Sequence, residues 1–288
     1  MENLWIFYSL AGLLVLGLGD FVKKVVLQKG GNKEVFLFMC FIIYIIIFGG
    51  NYFLNSTTAI TNFELKSALI IGSFDFLAPL GMLTALKYLD VSFSLVSIRL
   101  ISSIFILAIG TSILGDNLSV YNIIGFIIGF IAIFLLSGFK FSGKLELHTK
   151  GILGAGGAII GIIGGHSYFK YAIPDINIDN YTILKFLVTF GLLIIYMIIR
   201  KKFRDFSVKN IKLVLPFAFI TGLLFVVQFL YLLPQIYLLG PLSLGYKILS
   251  YSLIIPIILS IIIYNEKVTK RKIIAFVLTL LSLALFII

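Results

Sequence analysis

Ten long apolar stretches run through nearly the whole chain, and its charged residues are crowded into the gaps between them. A helix needs about 20 apolar residues to cross the ~30 Å hydrocarbon core of a bilayer, and each stretch is of that order. Hydrophobic residues make up 60% of the chain and charged residues only 12%, against about a quarter charged in an ordinary soluble domain. The stretches read as spans at 4–24, 34–54, 66–86, 92–114, 120–138, 151–172, 182–199, 213–233, 241–263 and 271–288. Lipid forces backbone groups to pair internally, so each span is a helix or a strand of a closed barrel. Barrel strands are about 10 residues long and alternate in polarity. Runs such as Phe41 to Phe48 and Leu253 to Leu259 are continuously apolar and select helices. The reading is an all-α integral membrane fold of ten transmembrane helices, with no room for a soluble catalytic domain. The N-terminus lacks a basic n-region and a small-residue cleavage site, so the first stretch reads as a retained span.

Basic residues set the expected orientation. The odd-numbered loops hold sixteen Lys and Arg, among them Lys29, Lys33, Lys87, Lys140, Lys144, Arg200, Lys202 and Lys270, while the even-numbered loops hold Lys66 alone. Short Lys/Arg-rich loops stay cytoplasmic, which puts both termini outside and accounts for the net charge of +11. That charge is thus a topology signal with some attraction to anionic lipid. No basic, aromatic-rich soluble module points to nucleic acid.

A shift of 150 residues superposes the two halves without a gap. Leu114-Gly115-Asp116-Asn117-Leu118-Ser119 matches Tyr264-Asn265-Glu266-Lys267-Val268-Thr269, and Ile123-Ile124-Gly125-Phe126 matches Ile273-Ile274-Ala275-Phe276. The Ser or Thr is placed to cap the next helix. Five spans per half is an odd number, so the second half inserts upside down. The charges agree: the Asp116 loop carries no Lys or Arg and the Glu266 loop carries four. Inverted repeats place a site near the midplane between the halves.

With these residues the chain resembles the drug/metabolite transporter superfamily, in its EamA-like branch. The resemblance spans the whole chain: ten spans in a five-plus-five plan, the acid after spans four and nine, Ala85-Leu86 before the turn into span four, and Pro256 in mid-span nine. Span four has Ile106 where span nine has Pro256. The resemblance implies two repeats, 1–144 and 145–288, and secondary transport of small metabolites, often export, without covalent chemistry. It also implies cytoplasmic termini, whereas the loop charges put them outside.

Ionisable residues inside spans cost roughly 2.5–3.5 kcal/mol each on insertion scales and so mark candidate sites. Asp75, Arg99 and Lys247 are the foremost, in spans three, four and nine. The two cations lie within a turn of repeat equivalence. They are read either as ligands for an anionic, carboxylate- or phosphate-bearing solute, or as partners of Asp75 that pin helices together. Spans three and four share a short turn near Leu89-Asp90, and the levels of Asp75 and Arg99 along them differ by roughly 6 Å, so these two are expected to pair if their faces match. Gln228, Tyr246 and His166 complete the candidate substrate-binding set, with His166 either a proton relay or a packing histidine. Asp20 reads as a helix-end charge, and Lys170 and Lys185 as snorkelling side chains. Gly157, Gly161 and Gly165 form a small-residue stripe for close helix packing within the chain or in a homodimer.

One cysteine, Cys40, and two separated histidines exclude a disulfide framework and a metal cluster. Gly154-Ala155-Gly156-Gly157 lacks the Lys-Ser/Thr ending of a phosphate loop, so no nucleotide-driven motor is expected. No cofactor, metal or catalytic residue is assigned, and the chain is not expected to be an enzyme. The expected partners are a small-molecule substrate, the lipid bilayer and a coupling proton, as monomer or homodimer in a plasma or inner membrane. The competing readings are a membrane structural or assembly subunit and a lipid-modifying enzyme, for which Asp175 and Asp179 are the nearest acids.

Overall fold

The computed structural model describes residues 4–55, 59–89, 91–136, 148–264 and 268–287. Glu266, Lys140, Lys144, Lys267 and Asp90 lie outside the described residues. The described residues form helices and connecting turns, with no strand: α1 (Leu4–Gln28), α2 (Lys33–Asn55), α3 (Asn62–Tyr88), α4 (Val91–Ser112), α5 (Val120–Leu136), α6 (Thr149–Ala172), α7 (Ile178–Ile199), α8 (Val208–Val226), α9 (Leu233–Leu239), α10 (Leu242–Ser250), α11 (Ile254–Tyr264) and α12 (Lys270–Ile287). Seven helical stretches are long and apolar enough to cross a membrane, from Lys33–Leu54 to Leu242–Ile263. This is the build of a multi-pass membrane protein.

The helices start where side chains can satisfy their first N–H groups. Thr61 and Glu64 form a reciprocal capping box on α3. Asn177 caps α7 and Ser207 caps α8. Ser119 accepts from Asn122 N at 3.1 Å and Thr269 from Lys272 N at 3.3 Å, so the two matched hydroxyls both act as caps. Asp116 accepts from Leu242 N at 3.2 Å and from both Ser243 N and Ser243 Oγ at 2.7 Å. It thereby caps α10, far away in sequence.

Large apolar side chains cover the outside. Phe53 is 85% exposed and Leu280 68%, a surface suited to acyl chains and costly in water. Inside, α3 packs on α6 and α7, α8 on α1 and α2, α4 and α10 on each other, and α5 on α12. Lipid offers no hydrophobic drive between helices, so close van der Waals approach holds them together. At the α3–α6 crossing, a Cβ on Gly161 would stand 2.5 Å from Ala78 N, and one on Gly154 2.8 Å from Ala85 N. The close-packing stripe is therefore Gly154, Ala158, Gly161 and Gly165, turned onto α3 of the same chain. A Cβ on Gly157 would meet nothing within 4 Å.

Two helical rods are interrupted. A π turn, Val227–Leu232, joins α8 to α9 just before Pro234. A 3-10 turn, Tyr251–Leu253, joins α10 to α11 before Pro256. Proline lacks an N–H and its ring crowds the carbonyl four residues earlier. For Pro256 that carbonyl belongs to Ser252, and Gly17 of α1 lies against it, where a Cβ would come within 2.6 Å.

Candidate functional site

A cavity of about 140 Å³ lies between α1, α2, α3, α4, α6, α7, α8 and the π turn. Five ionisable side chains that form ion pairs border it: Asp20, Lys23, Arg99, Asp75 and Lys185.

Asp20 is 2% exposed and stands between two cations. Lys23 Nζ donates to its Oδ1 and Arg99 Nη2 to its Oδ2, both at 3.0 Å. This ties α1 to α4. Asp75 on α3 pairs with Lys185 on α7 at 3.1 Å. The Lys185 ammonium also lies 3.7 Å from the Phe229 ring centroid and 4.6 Å from that of Phe186, a geometry in which ring faces attract a cation.

The expected pairing of Asp75 with Arg99 does not form. Both border the cavity, but Asp75 pairs with α7 and Arg99 with α1. Asp20 is no helix-end charge, since it is the shared partner of two cations. Lys185 does not snorkel, because its side chain is 3% exposed. Lys170 does not reach for the interface either. Its ammonium donates to Tyr237 O at 2.6 Å and Gly240 O at 2.8 Å, where α9 ends and a cation complements the open carbonyls.

His166 borders the cavity and shares a hydrogen bond between its Nδ1 and Tyr237 Oη. Its ring meets that of Tyr246 edge-on at 4.8 Å. Gln228 also borders the cavity, from the π turn. It is 1% exposed, and its Oε1 has no hydrogen-bond partner among the described residues. The wide turn that holds it is a frequent mark of function. Tyr246 lies just outside the lining, between His166 and the Arg99 guanidinium.

Lys247 lies apart from the cavity. It is 0% exposed, 3.6 Å from the Phe130 centroid and 5.6 Å from those of Phe126 and Tyr251, with no hydrogen-bond partner among the described residues. Gly129 leaves room for it, as a Cβ there would stand 3.0 Å from Lys247 Cε.

The cavity wall includes residues that sequence reasoning passed over. Tyr44, Tyr181, Phe186, Phe225 and Phe229 supply aromatic faces, with Tyr44 and Phe225 stacked at 5.6 Å. Hydropathy treats them as ordinary span residues. Lys185 carried a usable signal, an ionisable residue inside an apolar run. The cavity wall thus combines three paired cations, two carboxylates and aromatic ring faces.

No family model matches the chain, and no curated protein matches it. Among solved structures it is similar to one described only as "Crystal structure of protein", with a TM-score of 0.73, 13% sequence identity, and coverage of 100% of this chain and 99% of that one. At that identity the likeness is one of fold.

Proposed function

We propose that the chain is a secondary transporter, an exporter or exchanger, that moves a small polar metabolite by alternating access. The solute class it suits best carries a carboxylate or phosphate group, amino acids among them. The proposal includes ten transmembrane helices in two inverted five-helix repeats, 1–144 and 145–288, as in the EamA-like transporters it resembles. Neighbour relations support the repeat. Under the 150-residue shift, α3 on α6 corresponds to α8 on α1, α3 on α7 to α8 on α2, and α4 on α6 to α10 on α1, and all six contacts are present.

The observation that carries the reading is the cavity itself. Buried charge is expensive in a membrane and needs a reason. Lys23, Arg99 and Lys185 face Asp20 and Asp75 there, which leaves one positive charge over. A solute carboxylate or phosphate would balance it.

The test is an untargeted solute screen on purified protein reconstituted in liposomes, with Gln228→Leu beside the wild type. Gln228 takes part in no ion pair, so this variant should fold. The expected result is movement of an anionic or zwitterionic solute by wild type and a loss of at least about tenfold in Gln228→Leu, the equivalent of one good polar contact. Movement of cations alone, or of no solute at all, overturns the reading.

A further inference from the structure

A second polar space opens beyond the cavity, toward the ends of the helices joined by the lysine-rich loops. It is a groove of about 470 Å³. Lys23 of α1, Phe36 of α2 and Met82 of α3 border the cavity, whereas Lys24, Lys33 and Lys87 border the groove. Each step is five residues or fewer along its helix, at most about 8 Å of rise. The two spaces are therefore neighbours along the same three helices.

Three lysines from three helices, Lys24, Lys33 and Lys87, line this groove, and Glu34 is the one carboxylate in its lining. Lys33 has a side chain only 8% exposed. Its Nζ donates to Thr84 Oγ1 at 2.7 Å, and the Thr84 hydroxyl donates in turn to Leu80 O. Glu34 stands at 3.8 Å from Lys33, beyond hydrogen-bond reach, and is shared with Lys202 at 4.0 Å. An ammonium has three donors, and one is used. Lys24 donates to a neutral hydroxyl, Ser260 Oγ, at 3.0 Å. Lys87 is exposed, with its ammonium 5.6 Å from the Tyr88 centroid. No carboxylate is hydrogen-bonded to any of the three among the described residues. Glu34 and the like charges of Lys87 and Lys202 all bear on Lys33, and Lys202 has its own carboxylate in Asp205 at 3.4 Å, so the groove lining is left with three lysines against the single carboxylate of Glu34.

We propose that this groove is an anion site, separate from the cavity, that takes a phosphate group. Ammonium groups act as point charges, and three of them along one groove suit an acceptor with several oxygens at tetrahedral angles. Leu27 and Leu86 supply an apolar rim. The group comes from a free solute or from the headgroup of an anionic phospholipid, which lies at this level of a bilayer. The site does not depend on transport by the cavity.

The experiment uses the full chain in detergent at constant ionic strength. One arm titrates inorganic phosphate against thermal stability. The other adds phosphatidylglycerol or phosphatidylcholine and counts bound lipid by native mass spectrometry. Lys24→Gln and Lys87→Gln, at partly or fully exposed positions, should each weaken binding about fivefold, the factor that corresponds to ~1 kcal/mol per lysine near the surface. Lys29→Gln removes the same charge at the same end without bordering the groove, and should change binding less than twofold. A response to phosphate places a free solute in the site, and retention of phosphatidylglycerol alone places a headgroup there. The site is overturned if neither probe binds, or if Lys29→Gln weakens binding as much as the groove variants.

Discussion

Asp20 joins the two cations that would otherwise stand uncompensated at the cavity wall. A partner removed from a buried pair leaves a charge stranded, typically a loss of about 3–5 kcal/mol. Asp20→Asn and Arg99→Gln should each fall in that range, and their double variant should lose less than the sum, with a coupling of roughly 0.5–3 kcal/mol. Asp75→Asn combined with Arg99→Gln should be additive to within ~0.5 kcal/mol. Thermal unfolding in detergent reads both cycles, and an additive Asp20–Arg99 cycle would break the pairing. Sequence reasoning found Asp75, Arg99, Gln228 and His166 because each is polar in an apolar run, and all four border the cavity. It missed the pairing because residue spacing gives the level of a side chain along its helix but not which neighbour that face meets. Lys247 shows the same limit. Its place in span nine was legible, whereas its seat among Phe126, Phe130 and Tyr251 was not. An amine buried without an acceptor carries a desolvation cost, and methionine fills a similar volume without it. Lys247→Met should therefore unfold at a higher temperature than wild type, and a lower one would mean that the ring faces more than offset that cost.

Between elements, the α3–α6 crossing sets how close the cavity walls come. A Cβ on Gly161 would meet backbone, Ala78 N at 2.5 Å and Phe74 O at 2.6 Å, which cannot swing aside as a side-chain tip can. Gly161→Ala should cost about 1–3 kcal/mol as an overpacking change. Gly156→Ala, five residues earlier on the same helix with nothing within 4 Å, should be neutral or stabilising by up to ~1 kcal/mol through helix propensity. Equal unfolding temperatures for the two variants would mean that the crossing relaxes freely. The helices themselves were legible almost throughout, because long apolar runs bounded by caps have few alternatives in lipid. Hydropathy ends the first helix at residue 24, whereas it continues to Gln28, because the Lys23-Lys24 pair breaks the apolar run ahead of Val25, Val26 and Leu27. Hydropathy runs unbroken through the turns at Val227–Leu232 and Tyr251–Leu253 and so does not mark them. Pro234 and Pro256 signal that a hydrogen bond is lost, but whether a helix answers by kinking, widening or tightening depends on what packs against it.

At the scale of the whole molecule, the charge asymmetry of the loops and the arrangement of the helices meet in one expectation. The ends that bear Lys24, Lys33 and Lys87 are the ends joined by basic loops. Short basic loops are retained on the cytoplasmic side. The lysine groove should therefore open to the cytoplasm, and the cavity should lie about one helical turn further into the membrane. Both termini should then lie on the opposite face, since α1 runs from its start at Leu4 toward the Lys29 turn and α12 runs away from Lys270 to its end at Ile287. A fluorescent reporter that matures only in the cytoplasm, fused after Ile288, should stay dark. The same reporter inserted after Arg204, in the connection between α7 and α8, should shine. Reversal of both signals would place the termini inside, as the EamA-like resemblance implies, and the groove would then open to the far side. The cytoplasmic leaflet is the anionic one, so this single inversion would also move the lysine cluster away from the lipid headgroups best suited to it. Binding of phosphatidylglycerol in detergent is blind to orientation, so a bright terminal fusion would leave that signal in place and would favour a free solute as the source of the groove's phosphate in the cell.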